Sequence, residues 1–338
     1  IAGALLALTM KGLGYNVALF SDPKSPGSST LAAGQINPIT GRHFVKSWKI
    51  DNLLDIANRL YSKLEVQYGA KIQHPLSVIR ALGSPGMINE WSARTHDPLY
   101  ADYIDERPRK IPSGLQKTAM AYAYIQQAQR IDFGKIKFLA KKVFSEDGYY
   151  FAEKLDPQRI VQSKSCLAYK ALKFKRIVFC EGAAARHNPL WRDLEFVPAK
   201  GERLIIEAPE LLLKDVYNDG KIIIPIGNDQ YWVGSNYEWK DLDLEPTNKM
   251  YAELTGFLDK TLNVPYQIVD HSANIRPSSY NRRPFVGEHP TRSHHFILNG
   301  LGAKGASLAP FCVEQLIAHI FHGKDLDAEI DVNRVEFG

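Results

Sequence analysis

The chain has 338 residues, too many for one simple core and about right for two packed domains. Hydrophobic residues make up 45% and charged residues 23%, which is typical of soluble globular proteins, and no apolar run approaches the ~18 residues of a membrane-spanning helix. The net charge of +5 suits an anionic cofactor or substrate but is too small to indicate nucleic-acid binding by itself.

The first elements along the chain are a helix and a short strand. Residues 1–11 are rich in the helix formers Ala, Leu and Met, and Gly12-Leu13-Gly14 predicts the helix end. Residues 16–20 form a short apolar strand that ends at Ser21-Asp22-Pro23. This order is half of a β-α-β unit, so the first strand and the true N-terminus are expected to precede residue 1.

The rest of the chain alternates between helical and β-rich segments. Apolar residues at helical spacing predict helices at about 50–68, 133–144, 246–262 and 306–321. Residues 70–130 are interpreted as short strands separated by Pro and Gly turns. A buried strand is predicted at 176–180 and a strand before a Gly-rich turn at 296–299. Consecutive antiparallel strands are predicted at 203–208, 221–225 and 230–235.

Cysteine and histidine usage argues against a metal site. Cys166, Cys180 and Cys312 stand far apart in apolar surroundings and are expected to be buried free thiols, with a disulfide pair as the less favoured alternative. Free thiols favour a reducing compartment and a cytoplasmic protein. None of the ten histidines shows H-x-x-H or H-E-x-x-H spacing, so no metal is expected.

Gly3 and Asp22 are candidates for a dinucleotide-binding turn. Gly3 fits the last glycine of G-x-G-x-x-G, where the lack of a side chain lets the helix pack closely on the sheet. Asp22 stands near the position at which a carboxylate contacts the adenosine ribose, although Ser21 occupies the expected position itself. A turn before Pro23 explains Asp22 equally well.

Residues 28–38, Ser-Ser-Thr-Leu-Ala-Ala-Gly-Gln-Ile-Asn-Pro, are rich in hydroxyl and small side chains. Hydroxyl groups donate to phosphate and ribitol oxygens, and Ala and Gly let the backbone lie against a flat ring. The stretch resembles the flavin-contacting loop of the D-amino-acid oxidase family, which includes glycine oxidase. The resemblance implies FAD contacts for Ser28, Ser29, Thr30, Ala33, Gly34, Gln35 and Ile36.

Two further regions resemble the same family. Residues 178–184 are similar to its strand-to-glycine element near the adenine half of FAD, which implies contacts for Gly182 and Ala183. The order of the segments 274–279, 283–287 and 299–310 resembles the C-terminal signature, in which a helix N-terminus stabilises the pyrimidine side of the flavin. The contacts implied there are Gly300, Gly302, Ala303, Lys304, Gly305 and Ala306.

On the substrate side, the resemblance makes Arg276 the partner of a substrate carboxylate, which a guanidinium binds bidentately. A structural salt bridge is the alternative for this arginine. Lys304 either influences the N5/O4 edge of the flavin and its reaction with oxygen or points to solvent. The aromatic residues of the neighbouring strand either line the pocket or pack the sheet: Tyr231, Trp232 and Tyr237.

Four further residues are weaker candidates. Arg42 and His43, which follow the flavin loop, are possible pocket residues. His271 and Cys312 are the nearest candidates for a covalent flavin link, but neither lies in a known attachment motif.

These observations predict an α/β fold with two domains. A dinucleotide-binding, Rossmann-like FAD domain is expected from residues 1–70, 130–197 and 270–338, and a second α+β domain with an antiparallel sheet from residues 71–129 and 198–269. The resemblance implies FAD-dependent oxidation of the C–N bond of a small amino acid or secondary amine by hydride transfer to flavin N5. Because the hydride leaves the carbon of a neutral amine and the product imine hydrolyses in water, no protein acid or base is required, and the protein orients the substrate and excludes water.

Two other functions stay open. Residues 37–42 also resemble the flavin domain of the bifunctional enzyme that oxidises a carboxymethylaminomethyl group on the tRNA wobble uridine, a secondary amine whose carboxylate Arg276 would also fit. A tRNA substrate requires a basic surface stripe, which the small net charge does not indicate. The third interpretation is a non-catalytic flavoprotein-like scaffold, motivated by the missing first strand and by Ser21.

Overall fold

A computed structural model describes residues 1–25, 27–106 and 111–337 as a mixed α/β protein. The helices are α1 (Ala2–Gly12), α2 (Ile50–Tyr68), α3 (Pro85–Thr95), α4 (Phe133–Glu146), α5 (Asn248–Thr261) and α6 (Gly305–His322). The strands are β1 (Leu19–Phe20), β2 (Gln35–Ile36), β3 (Ile39–Thr40), β4 (Val45–Lys46), β5 (Gln73–Leu82), β6 (Ala121–Ile131), β7 (Tyr150–Phe151), β8 (Val161–Gln162), β9 (Leu167–Tyr169), β10 (Leu172–Phe174), β11 (Ile177–Phe179), β12 (Ala199–Glu207), β13 (Val216–Asp219), β14 (Lys221–Gly227), β15 (Gln230–Gly234), β16 (Gln267–Arg276), β17 (Phe285–His289) and β18 (Arg292–Asn299).

The five helices expected from periodicity are confirmed, with ends that differ by at most about two residues. In α2 the side chains that recur at helical spacing are buried, and Gly69 ends the helix in the left-handed conformation with φ of 60°. Gly323 ends α6 in the same way. These helices were predictable because both the apolar face and the stop signal are local.

The interpretation of residues 70–130 is wrong in two respects. First, β5 and β6 are long strands of 10 and 11 residues, because a bulge at Leu76/Val78 lets the pairing continue beyond Pro75. Second, the segment contains α3. Its N-terminal signal was present in the sequence, since Ser84 caps the Met87 N–H and Pro85 takes the first helical position, but its side chains show no buried apolar face.

The main sheet has eight strands in the order β16-β12-β15-β14-β13-β5-β6-β2. Its pairs are antiparallel except for the parallel pair β13–β5. One face of the sheet packs against α5, with a core that includes Leu204, Ile206, Leu254 and Leu258. The opposite face shares a larger core with α1, α2, α4 and α6.

Short parallel pairs lie among these four helices. Strand β1 pairs with β7, and β11 pairs with β18, whose other neighbour is the antiparallel β17. Helix α1 packs against α4 and α6. Parallel strands joined through helices are the arrangement of a dinucleotide-binding fold, as expected. The expected domain bounds stay a prediction, since β2 and the end of β16 come from one predicted domain and pair with strands of the other.

Membrane-spanning helices, metal sites and cysteines were the subjects of three predictions from the sequence. No helix in the described part of the chain combines the length and hydrophobicity required to cross a membrane. Within the same residues, no group of three or more His, Cys, Asp and Glu side chains is arranged to hold a metal ion. All three cysteines are free; Cys312 is buried as expected, whereas Cys166 and Cys180 are only half-buried. Burial raises the pKa of the Cys180 thiol to about 12 and also raises that of Cys312.

Candidate functional site

A cleft of about 2440 Å³ runs between the helices and the main sheet. Its lining comes from segments far apart in the chain, namely the start of α1, the loop before β2, the end of β11, the middle of the sheet and the turn before α6. Pockets for small ligands usually have about 300–1,000 Å³. The cleft therefore has room for a ligand of dinucleotide size together with a small molecule.

Gly3 and Asp22 both line this cleft. A Cβ atom on Gly3 would lie 3.2 Å from the Cβ atom of Cys180, so the glycine lets α1 pack closely on the end of β11. Asp22 accepts a hydrogen bond from the Lys24 N–H at 2.9 Å, which is the turn geometry that the sequence offered as the alternative. The turn leaves its carboxylate at the edge of the cleft.

The loop before β2 is held close to the sheet. Gly34 has φ of 71°, and a Cβ atom there would lie 2.0 Å from the Ile131 carbonyl oxygen, so only glycine fits. The Trp232 Nε1–H donates to the Leu31 carbonyl at 2.8 Å. Of the seven predicted residues in this loop, six line the cleft: Ser28, Ser29, Ala33, Gly34, Gln35 and Ile36.

Thr30 is the exception in this loop. Thr30, at the end of the short 3₁₀ turn Ser28–Thr30, is not part of the cleft lining, and its hydroxyl accepts from the ammonium of Lys137, a lining residue, at 2.6 Å. Its expected cofactor contact stays a prediction. Gln35 shows the opposite behaviour, because its Nε2 atom is buried and has no hydrogen-bond partner within the described ranges. A buried donor without a partner is costly, and because Gln35 also lines the cleft, its amide is available to a ligand there.

The strand-to-glycine element lies beside the turn before α6. Gly182 lines the cleft, but Ala183 does not, and the next residue, Ala184, takes its place. The short helical turn that begins at Gly182 rotates successive side chains, so Ala184 rather than Ala183 lines the cleft, and the expected Ala183 contact stays a prediction. Asn299 connects the two regions, because its Nδ2–H donates to the Gly182 carbonyl at 3.0 Å and its Oδ1 accepts from the Gly300 N–H at 2.8 Å.

Helix α6 begins at the cleft. The predicted residues of the preceding turn and first helical turn all line it: Gly300, Gly302, Ala303, Lys304, Gly305 and Ala306. The helix has no side-chain cap and no acidic residue in its first turn. Its N–H groups and the positive end of its dipole are therefore available to an anionic group.

Lys304 projects into the cleft rather than away from it. Its ammonium donates to the Ser47 hydroxyl at 3.2 Å, and that hydroxyl donates to the Asn37 carbonyl at 3.0 Å. Desolvation inside the cleft lowers the pKa of Lys304, and the positive charges of Arg283 and Arg282 lower it further. Sequence reasoning missed Ser47, since a single serine between β4 and α2 carries no local signal.

Arg276 is held by neutral acceptors. Its guanidinium donates to the Lys200 and Asn236 carbonyls at 3.3 and 3.0 Å and to the Ser235 hydroxyl at 2.7 Å. It also lies 4.3 Å from the centre of the Tyr237 ring. No ion pair involves Arg276 in the described part of the chain, so the structural salt bridge offered as an alternative is not observed. Burial lowers its pKa.

The aromatic candidates fall on both faces of the sheet. Successive residues of a strand point to opposite faces, so Trp232 lines the cleft whereas Tyr231 packs in the core under α5 and donates to the Leu211 carbonyl. Tyr231 therefore packs the sheet, which is one of the two roles expected for it. Tyr237 lines the cleft beyond the end of β15 and stacks on Trp239, with ring centroids 5.8 Å apart.

The weaker candidates lie elsewhere. Arg42 and His43 are exposed, and His43 pairs with Glu90 at 2.8 Å outside the cleft lining. His271 and Cys312 are also absent from the lining, so neither is placed for a covalent link to a ligand in the cleft.

The family described as FAD dependent oxidoreductase matches residues 1–318 of the chain. The glycine oxidase of Pseudomonas aeruginosa is 28% identical over 141 residues, an alignment that covers 41% of this chain and 38% of that enzyme. This chain thus aligns with less than half of that enzyme.

Solved structures extend the similarity to the whole fold. Glycine oxidase from Geobacillus kaustophilus has a TM-score of 0.78 at 19% identity, covering 100% of this chain and 96% of its own. Iminodiacetate oxidase from Chelativorans sp. BNC1 has a TM-score of 0.75 at 18% identity, covering 99% and 96%. L-Proline dehydrogenase from P. horikoshii has a TM-score of 0.71 at 14% identity, covering 96% and 91%.

Proposed function

Because the chain belongs to the FAD-dependent oxidoreductase family, we propose that it oxidises the C–N bond of a small amino acid or secondary amine that carries a carboxylate. The observation that supports this substrate class is Arg276. Its buried guanidinium faces the cleft with only neutral acceptors, which leaves its positive charge for a ligand. Two proteins of similar fold are a glycine oxidase and an iminodiacetate oxidase, whose names specify amines of this class.

The residues of the cleft fit FAD, the cofactor of the family. The unpartnered Gln35 amide and the uncapped α6 N-terminus are donors for a polar, anionic ring edge, and a side chain on Gly34 would clash with the neighbouring strand. We assign the remaining contacts to Gly3, Asp22, Ser28, Ser29, Ala33, Ile36, Gly182, Gly300, Gly302, Ala303, Lys304, Gly305 and Ala306. When bound, FAD accepts the two electrons that the amine carbon loses.

The chain supplies orientation and charge. Arg276 binds the substrate carboxylate and so fixes the position of the neighbouring amine. Tyr237 and Trp232 form apolar walls that exclude water from the substrate. The Lys304 ammonium, fixed by Ser47, holds positive charge and a proton at Nζ beside the start of α6, where both stabilise developing negative charge. This arrangement requires no acid–base dyad from the protein.

The first experiment is anaerobic addition of glycine, sarcosine and iminodiacetate to the FAD-loaded protein, followed by absorption. One of these amines is expected to bleach the flavin, and Arg276→Gln should raise its KM about 10- to 100-fold, because a charge-assisted hydrogen bond is lost. Arg59→Gln, which removes an exposed ion pair with Glu314, serves as the control. Unchanged KM in Arg276→Gln would contradict the proposal.

The tRNA reaction is the second candidate, and the mouth of the cleft favours it. Trp239 and Tyr280 are 58% and 75% exposed there, beside Arg282. Exposed rings next to cations are suited to stacking an unpaired base. A gel shift of tRNA that weakens with salt supports this reaction, and no shift at low salt excludes it. The non-catalytic scaffold is not favoured, since the proposed cofactor side retains the Gln35 amide without a partner among the described residues, and the proposed substrate side retains a guanidinium held only by neutral acceptors.

A further inference from the structure

The cleft side of the main sheet carries a second arginine that the proposed reaction does not use. Arg80 on β5 lies opposite Asn218 on β13, which in turn lies opposite Ile222 on β14. Residues opposite one another on neighbouring strands share a face, and Asn218 and Ile222 line the cleft. Burial agrees, because Ile79 packs under α5 whereas Leu82, on the same face as Arg80, belongs to the core on the cleft side.

Among the described residues, Arg80 has no charged partner on its own face. Its Nη1–H donates to the Asn218 side-chain oxygen, while its Nε–H is buried and has no acceptor in the described residues. The negative charge that acts on Arg80 is that of Asp219. Asp219 follows Asn218 in β13 and therefore points to the opposite face of the sheet, where its carboxylate accepts from the Thr118 hydroxyl at 3.2 Å. Burial lowers the pKa of Arg80. An anion beside it would offset the cost of burying this charge.

A small cavity of about 70 Å³ lies against Arg80. Four of its lining residues also line the main cleft, so the cavity is a side pocket of that cleft: Asn37, Thr40, Gly41 and Asn218. One water molecule requires roughly 10–15 Å³ by this measure. The side pocket therefore has room for a few waters or for one carboxylate group, with amide and hydroxyl donors from Asn37, Asn218 and Thr40 around it.

We propose that this side pocket binds a second anionic group of the substrate through Arg80 and Asn218. The inference rests on the proposed function, because it narrows the amine to a dicarboxylic one whose second carboxylate ends a side chain or an N-substituent. The Arg276 guanidinium lies over Gly201 on β12, whereas that of Arg80 meets Asn218 on β13. Three strand spacings separate β12 from β13, about 14 Å laterally, and Gly201 lies two residues along β12 from Arg203, which shares the row of Asn218, so the two points are about 16 Å apart.

This spacing defines the length of the ligand. Allowing ~3 Å for the hydrogen bond at each end, the two carboxylates are roughly 9–10 Å apart. An extended chain advances about 1.2 Å per bond, so roughly seven to eight bonds connect the two carboxyl carbons. Glycine and iminodiacetate are too short to reach both arginines, whereas suberate and azelate have the required length.

Binding to the FAD-loaded protein tests this inference without turnover. Suberate and azelate are titrated against octanoate and nonanoate, with flavin absorbance as the signal. Each dicarboxylate is expected to bind about 10-fold or more tightly than the monocarboxylate of equal length. Arg80→Gln should abolish that difference and leave monocarboxylate affinity unchanged, and Arg59→Gln should change neither. Equal affinities in the unmodified protein would overturn the inference.

Two further measurements keep the result decisive. If Arg80→Gln does not fold, Arg80→Lys replaces it. A loss of affinity confined to dicarboxylates supports the pocket, and an equal loss of affinity for both ligand types overturns it.

Oxidation of N-pentylglycine and N-(5-carboxypentyl)glycine then separates the two proposals. Tight, Arg80-dependent dicarboxylate binding without flavin bleaching by any amine supports the pocket but refutes the proposed function. Oxidation of both amines with equal KM overturns the pocket alone.

Discussion

At the scale of single residues, the substrate side depends on a contact between Arg276 and a residue without a side chain. The guanidinium lies over Gly201, where a Cβ atom would approach Nη2 to 2.0 Å. The acceptors that hold it are two backbone carbonyls and one hydroxyl, so the arginine is fixed without being neutralised. This combination gives a rigid cation that is suited to binding a carboxylate.

Gly201→Ala tests this packing. The added methyl group should displace the guanidinium and raise the KM of the carboxylate-bearing amine by about 10-fold or more, with a smaller change in kcat. Steady-state kinetics on the amine identified by flavin bleaching measure both constants. Gly256→Ala is the matched control, since no heavy atom lies within 4 Å of a Cβ there. Equal KM values for the two variants would show that Arg276 does not bind the substrate.

Lys304 leads to a prediction about pH. Its lowered pKa means that the ammonium loses its proton below the ordinary value of 10.5, so any rate enhancement from its charge should decline as pH rises through that lowered pKa. Lys304→Arg should extend the plateau of kcat to higher pH, and Lys304→Met should remove the decline while lowering kcat. A profile from pH 6 to 11 checks both. An unaltered alkaline limb in Lys304→Met would assign it to another group.

At the scale of elements, the segment 235–247 between β15 and α5 carries Tyr237 and Trp239 to the mouth of the cleft. Lys200 on β12, only 1% exposed, donates to the Asp243 carboxylate and to the Glu245 carbonyl. One buried lysine thus connects the sheet to the segment that covers Arg276.

Lys200→Met keeps the apolar stem but removes these two bonds. We expect KM to rise several-fold with kcat less affected, because the aromatic cover loosens while the residues of the proposed flavin site stay in place. Trp239 fluorescence and proteolysis within 235–247 report the loosening directly. Lys221→Met, which breaks the ion pair with Glu253 on α5, controls for loss of a lysine from the same sheet. Matching effects in both variants would indicate general destabilisation.

How far the sequence predicts these elements depends on whether the signal is local. Helix ends and the turn before α6 follow from nearby residues such as Gly69, Gly302 and Gly323. The face of a strand does not, because alternation shows that Tyr231 and Trp232 diverge without showing which of them meets the cleft. The sequence did not show that Thr30 and Ala183 lie outside the cleft lining for a related reason, since side-chain direction within a 3₁₀ turn depends on the backbone path.

At the scale of the whole molecule, the cleft joins residues from both ends of the chain. Motif order predicted the proposed cofactor side, because each motif is compact. Ser47 and Arg80 lie between the motifs, and only the strand pairing brings them to the cleft. Single polar residues in long segments carry no pattern, which is why sequence reasoning did not find them.

The proposed FAD contact of the Gln35 amide predicts opposite effects of one substitution on cofactor affinity and on the stability of the FAD-free chain. Gln35→Leu removes a buried donor without a partner, so the FAD-free protein should unfold at the same or a slightly higher temperature, while FAD binds about 10-fold more weakly. Gln73→Leu should lower the unfolding temperature of the FAD-free protein and leave FAD affinity unchanged, since that amide donates to Ser62 and Glu65 and lies outside the cleft lining. Thermal unfolding with and without FAD distinguishes them, and unchanged FAD affinity in Gln35→Leu would remove Gln35 from the site.

Strand β2 has one further consequence. Gln35 and Ile36 belong to the proposed cofactor loop and pair through their main chain with Arg130 and Gln129 at the edge of the same sheet that carries both arginines. The separation between the proposed cofactor and substrate sites is therefore determined by the strand register of the sheet rather than by side-chain contacts. New specificities can therefore arise by exchanging residues on the sheet surface without redesigning the reaction geometry, whereas a one-residue insertion in β6 would shift that geometry by a full residue step.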